Sequence, residues 1–216
     1  KKPQFNKKID FKKYPRTLKK DIQVLRKIKM NYLYLPSVNQ IYPKGQNKNI
    51  KISSFSKKLC GKFRPGHFRA VVDVIDRFIK IIKPKKIYFG EKDMQQLKII
   101  DAFIKKNHKN IKVVGCKTIR EKNGVACSSR NFLLSSKERT IASKIYRLLK
   151  NTKHNIITNK ATLKLIKKKI YILGVTKIDY IEILNVNKLI KPYFKNARYK
   201  IFIAYYLGET RLIDNV

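Results

Sequence analysis

The chain has 216 residues, 43% of them hydrophobic, enough to bury a core as one large domain or as a principal domain with a small one. Its 53 Lys and Arg against 13 Asp and Glu give a formal net charge of +40, but the lysines fall on nearly every segment, so charge alone does not make a nucleic-acid interface. Cys60, Cys116 and Cys127 form no CxxC pair and no even set, so neither a zinc site nor a disulfide framework is indicated; the longest apolar runs fall far short of the ~20 residues of a membrane span. A reducing cytoplasm fits.

Lys1-Lys2-Pro3-Gln4-Phe5 reads as the middle of a longer protein, and residues 1–16 as a loop ending in Tyr14-Pro15-Arg16. Thr17 caps a predicted helix in which Leu18, Ile22, Leu25 and Ile28 make one apolar stripe. Tyr32 to Leu35 reads as a strand stopped by Pro36-Ser37, and Tyr42-Pro43-Lys44-Gly45 as a turn. A weak strand at Ile50 to Ser53 and a short helix at Ser54 to Leu59 follow. The stiff loop Arg64-Pro65-Gly66-His67 leads into a helix with Phe68, Val71, Val72, Ile75, Phe78, Ile79 and Ile82 on its apolar face, ended by Pro84.

Strand Ile87 to Phe89, helix Asp93 to Lys106 (Leu97, Ile100, Phe103 and Ile104 inward) and strand Ile111 to Gly115 form a βαβ unit, so the fold class is α/β with a doubly wound parallel sheet. Beyond the Gly- and Ser-bearing loop Arg120 to Arg130, Ser135 or Ser136 caps a helix through Leu149, with Glu138 a capping-box partner for Ser135. A Lys-rich helix, Thr162 to Ile172, precedes Gly174 and two β-like runs, Tyr180 to Leu184 and Tyr199 to Tyr206. This order predicts residues 1–134 as the larger domain and 135–216 as a small α+β C-terminal domain.

Four clusters could carry chemistry. In Tyr88-Phe89-Gly90-Glu91-Lys92-Asp93, a strand breaks at a glycine that permits a special turn, and a charged helix start follows; ligands of open α/β sheets sit there, and Lys92 with Asp93 suits a metal–phosphate group. A simple helix cap would look similar. Gln95 and Gln96 suit hydroxyl and carboxylate groups, although such amides commonly face solvent. Ser128-Ser129-Arg130-Asn131 offers hydroxyls and a guanidinium for an anion clamp, and Arg64 and His67 flank a stiff turn. His108 and His154 have surface contexts, and no Ser-His-Asp triad or cysteine nucleophile is suggested.

Together, Tyr14-Pro15-Arg16-Thr17, Pro36-Ser37 with Ile41-Tyr42-Pro43, Arg64 to Phe68, Tyr88 to Leu97, Ile119 to Asn131 and Leu207 to Asn215 resemble the pantothenate synthetase family in order and spacing. The resemblance implies a Rossmann-like nucleotidyltransferase fold that joins pantoate to β-alanine through pantoyl adenylate, using ATP with Mg²⁺, as a homodimer whose residues 135–216 form a lid; the dispersed lysines and short apolar runs lead us to expect no specific nucleic-acid or membrane partner. It implies that Gly90, Glu91, Lys92 and Asp93 line the ATP site, with Ile119 giving backbone contacts to adenine. Cys127, Ser128, Ser129 and Arg130 would form a flexible phosphate clamp, and Lys92, Ser128, Ser129 and Arg130 would be catalytic. Gln4 and Gln96 would hold pantoate, Gln4 also serving β-alanine; Arg64 and His67 would support the pocket, and no protein metal ligand is assigned.

Cys127, Asn123 and Ala70 depart from the family pattern tolerably. The family's HxGH signature lies ahead of the loop to which Gln4-Phe5 corresponds and is absent from these residues, so the expectation is an active complete gene product and a nearly inactive 216-residue chain. The alternatives are another nucleotidyltransferase of the same superfold and a basic nucleic-acid-binding module.

Overall fold

The structure, a computed structural model, describes residues 14–47, 49–158, 160–186 and 199–216. Helix α1 (Leu18–Lys27) and the single-turn α2 (Val38–Ile41) lead to a 3₁₀ turn at Ser54–Lys57, the short α3 (Cys60–Phe63) and the long α4 (His67–Ile82). Next come strand β1 (Lys86–Gly90), a 3₁₀ turn at Glu91–Asp93, helix α5 (Met94–Asn107) and strand β2 (Lys112–Cys116). The remainder is a 3₁₀ turn at Ser129–Leu133, helices α6 (Ser136–Thr158) and α7 (Lys160–Ile172), and strands β3 (Lys177–Asn185), β4 (Tyr199–Leu207) and β5 (Thr210–Asn215).

The expected βαβ unit is present: β1 and β2 pair in parallel, with Tyr88 opposite Val114 and Gly90 opposite Cys116, and α5 crosses between them. Ile99, Ile100 and Ile104 of α5 join Phe68, Val71, Val72 and Ile79 of α4 in one buried core. Full burial of such a side chain contributes about 1.5–3 kcal/mol. Gly66, at φ +78°, starts α4 in a left-handed conformation that suits glycine, and Lys83 closes it just before Pro84. Ile82, expected inside, is 54% exposed in the last turn.

In α4, Asp73 is 2% exposed, its charge met by Arg77 Nε at 2.7 Å. The Arg77 guanidinium also donates to the carbonyls of Ile41 and Gly45, at 2.8 and 2.9 Å, pinning the expected Tyr42–Gly45 turn to the helix. A buried carboxylate is tolerated only with such a partner.

Strands β3, β4 and β5 form an antiparallel sheet in that order. Its apolar side chains Ile201, Ile203, Tyr205 and Leu207 pack with Ile145 and Leu149 of α6 and Ile166 and Ile170 of α7. The Ser135–Glu138 capping box is formed: Ser135 N donates to Glu138 Oε2 at 2.8 Å, and Glu138 N donates to Ser135 Oγ at 3.3 Å. Helix α6 continues past the expected end at Leu149 to Thr158. A third core joins the two halves, with Leu59, Met94 and Leu97 against Leu184 and Phe202.

Other expectations change. Tyr32 to Leu35 pairs with no strand among the described residues, and Tyr32 is 92% exposed; β-forming composition makes no strand without a neighbour to complete its hydrogen bonds. Ile50 to Ser53 is likewise unpaired, although Ile50 is buried. The stripe of α1 buries no residue, and the Thr17 hydroxyl donates to Asp21 Oδ1 at 3.0 Å instead of capping the helix. Strand β5 was not anticipated as a strand; Gly208, at φ +52°, and Glu209 turn the chain directly from β4 into it.

Candidate active site

Three sequence-remote stretches meet at the carboxyl end of β1, where an open α/β sheet presents its ligand crevice. The first is the turn Glu91–Asp93. Gly90 does not work as expected: its φ of −69° is open to any residue, and an added Cβ there meets no heavy atom within 4 Å. Free space, rather than a special conformation, is what glycine provides. The second stretch is Cys127–Arg130. Lys92 Nζ donates to the carbonyl of Cys127 at 3.1 Å, and the Ser128 hydroxyl accepts from Arg130 N at 3.2 Å.

The third stretch is the end of β5. Asn215 Nδ2 donates to the carbonyls of Glu91 and Lys92, each at 2.8 Å. Beside it, Arg120 grips Asp214 through Nη1 and Nη2, at 2.7 and 2.9 Å, and lies over the Tyr146 ring at 4.3 Å.

Arg64, His67, Lys92, Asp93, Gln96 and Asp214 line one open cleft. Cys60 and Tyr180 complete its back wall, the thiol and phenol 2.9 Å apart, while Arg211 reaches the sulfur at 3.6 Å and pairs with Asp179 at 2.8 Å. Burial lowers the pKa of Lys92, against the opposing pull of Asp93 and Asp214. Although the side chain of Asp93 reaches solvent, the protein packed behind it raises its pKa, and Lys92, Arg130 and Arg64 act in the opposite direction. Two cations and a carboxylate around open space suit a polyanion whose charge is only partly neutralised by its own metal.

Most sequence-nominated residues therefore converge. Lys92, Asp93, Gln96, Arg64 and His67 share the cleft, and Cys127, Ser128, Ser129 and Arg130 adjoin it through the Lys92 contact. Ile119 is 72% exposed, and its carbonyl already accepts from Cys127 N at 2.9 Å. Gln4 lies outside the described residues.

Two nominated amides are spent on structural contacts. Gln95, 6% exposed, lines the cleft too, but its amide donates to the carbonyls of Phe55 and Lys58 and accepts from Cys60 N, clamping that turn. Asn131, 3% exposed, ties its own loop by donating to Glu121 Oε1 and the Ala126 carbonyl, at 2.6 and 3.2 Å. Sequence reasoning gave no role to Asp214, Asn215 or Tyr180; the Leu207–Asn215 motif was visible, but its contacts are not local.

Among the described residues there is no cluster of three His, Cys, Asp or Glu side chains that could hold a metal, and no helix long and apolar enough to cross a membrane.

A parallel βαβ unit with a charged turn at its carboxyl end, joined to a small antiparallel sheet, defines an α/β fold of nucleotidyltransferase type. The chain belongs to the pantoate–β-alanine ligase family, whose model matches residues 2–216. The pantothenate synthetase of Sulfurihydrogenibium sp. strain YO3AOP1 is 38% identical over 219 residues, covering 99% of this chain and 78% of that protein. That of Flavobacterium psychrophilum is also 38% identical over 219 residues, with the same coverage of 99% and 78%. The crystal structure of pantothenate synthetase from Thermus thermophilus superposes with a TM-score of 0.90 at 30% identity, over 99% of this chain and 79% of that one. The pantoate–β-alanine ligase from Francisella tularensis, complexed with β-γ ATP and β-alanine, gives a TM-score of 0.80 at 35% identity, over 99% and 75%.

Proposed function

We propose that this ligase joins pantoate to β-alanine with ATP through a pantoyl-adenylate intermediate. A carboxylate oxygen of pantoate attacks the α-phosphorus of ATP, the bond to the bridging oxygen breaks, and pyrophosphate leaves with its electron pair. The β-alanine nitrogen then attacks the pantoyl carbonyl carbon, and AMP departs. The observation that carries this reading is that Lys92, Gln96, Arg64 and His67 line one cleft. It supports a division of labour in which Lys92 and the Cys127–Arg130 stretch meet phosphates while Gln96 meets pantoate. Gly90, Glu91, Asp93 and Ile119 complete the ATP side, and Gln4 is assigned to pantoate and β-alanine.

Holding two anions together requires alignment and charge neutralisation, which can supply about 7–11 kcal/mol of a bimolecular barrier when geometry is right. Mg²⁺ enters as part of the nucleotide substrate, with Asp93 the carboxylate at hand; a magnesium ion needs only one or two protein carboxylates beside phosphate and water. A family match over residues 2–216 favours neither a different nucleotidyltransferase nor a nucleic-acid module. The proposal extends to a cytoplasmic homodimer and to a functional boundary near Ser135, with residues 135–216 acting as a lid.

The test is pantoate-dependent ATP–pyrophosphate exchange, followed by AMP release on addition of β-alanine. Exchange without pantoate, or AMP release without prior adenylate, would sink the reading. The same assay on these 216 residues alone measures how much activity they retain, and light scattering measures the oligomeric state.

A further inference from the structure

We infer that Asn215 is a positioning residue for Lys92, setting the Glu91–Asp93 turn on which adenylation depends. This rests on the reading of the site proposed above. Asn215 is 2% exposed, and its side chain is spent entirely on contacts with other segments. Nδ2 donates to the carbonyls of Glu91 and Lys92, both at 2.8 Å, while Oδ1 accepts from Lys200 Nζ at 2.7 Å. Its own carbonyl accepts from Arg120 Nη2 at 3.3 Å, and its N–H donates to Asp214 Oδ1 at 2.7 Å.

An apolar side chain would fill the same space. It could not hold two successive carbonyls at a set distance. Lys200 decides which end of the amide faces the turn: an ammonium only donates, so the amide oxygen must point to it and the NH₂ group to the carbonyls. Lys200 also lies 3.8 Å from Glu91 Oε2, a second link between β4 and the same turn. The turn is thus held from the far sheet, across 123 residues of sequence, while Lys92 Nζ is held on its other side by the Cys127 carbonyl at 3.1 Å. Neither β1 nor α5 alone fixes where the Lys92 ammonium sits.

Asn215→Asp preserves shape but sets an oxygen against two carbonyl oxygens. In the full gene product, pantoate-dependent ATP–pyrophosphate exchange is expected to fall about 10- to 100-fold, with the loss in kcat and not in KM for ATP. Conversion of supplied pantoyl adenylate by β-alanine, which needs no pyrophosphate alignment, is expected to fall less than about threefold. Lys200→Ala frees the amide to turn over without disturbing the fold, giving about a fivefold loss of exchange, and the double variant is expected to be no worse than Asn215→Asp.

Exchange within about twofold of wild type in Asn215→Asp overturns the inference. So does an equal loss in both half-reactions that tracks a falling Tm, since that marks a purely structural amide. A wild-type enzyme with no pantoate-dependent exchange strikes the adenylate reading itself, an outcome separate from either.

Discussion

Arg120 and Asp214 are 94 residues apart in sequence, yet the guanidinium holds the carboxylate with two hydrogen bonds of 2.7 and 2.9 Å. The pair joins the loop that leads to the Cys127–Arg130 stretch to the strand that supports the Glu91–Asp93 turn. Both side chains are largely withdrawn from water, at 20% and 11% exposure, and Arg120 has a second partner in the Tyr146 ring.

Removing one partner strands the other. Asp214→Ala leaves a mostly buried guanidinium with only carbonyls and a ring to face, so it is expected to lower unfolding stability by about 2–4 kcal/mol. Urea denaturation of Asp214→Ala, Arg120→Met and the double variant measures the coupling. A coupling near zero would show that the grip adds nothing beyond packing.

At Gly90, backbone stability and ligand binding should separate. Its extended φ and empty surroundings mean that Gly90→Ala is expected to fold normally, changing stability by less than about 1 kcal/mol. If nucleotide lies against Gly90 as proposed, the new methyl group intrudes on it. Thermal unfolding with and without a nonhydrolysable ATP analogue distinguishes the two effects: an unchanged Tm with a reduced ligand-induced shift is expected, and an undiminished shift would place the nucleotide elsewhere.

At Gly124 the outcome reverses. Its φ is +90°, and an added Cβ would sit 2.3 Å from the Tyr146 ring, which already carries Arg120. Gly124→Ala combines left-handed strain with overpacking, expected to total about 2–4 kcal/mol. Calorimetry checks this; a Tm equal to wild type would mean that the loop and ring relax at little cost.

Burial lowers the pKa of Lys92, so its charge is lost at a lower pH than that of a free lysine as pH rises. The alkaline limb of kcat/KM for ATP should therefore begin below the ~10.4 of an unperturbed lysine, because that ratio reports the free enzyme. Lys92→Arg is expected to be at least about tenfold slower near neutrality but to have its alkaline limb displaced upward, since a guanidinium stays charged. An unmoved limb would assign it to another group. The stability consequence has the same origin: the folded state releases this proton first, so the contribution of Lys92 to stability rises with pH between its folded and unfolded pKa values.

Local patterns were legible where short-range forces decide them. The β1–α5–β2 unit, the Ser135–Glu138 capping box and the amphipathic α4 follow from β-formers, apolar spacing and a Ser-x-x-Glu pair that act within a few residues. Tyr32 to Leu35 has the composition of a strand, but composition cannot supply the neighbour that completes its hydrogen bonds. Gln95 and Gln96 are adjacent, chemically identical and both on the cleft lining, yet Gln95 is buried with its amide spent on the Phe55, Lys58 and Cys60 backbone while Gln96 is more exposed, because α5 turns them onto different faces.

The sequence by itself determined the α/β class, the charged turn after Phe89, the Ser-Ser-Arg stretch and the motifs that place the chain in its family. Tertiary structure alone decided that Asn215 holds the Lys92 backbone, that Asp214 answers Arg120, and that Gly90 leaves open space and not a special turn. The reason is range: propensity and capping act over one or two turns of chain, whereas the site is assembled by hydrogen bonds that exist only once two sheets have packed.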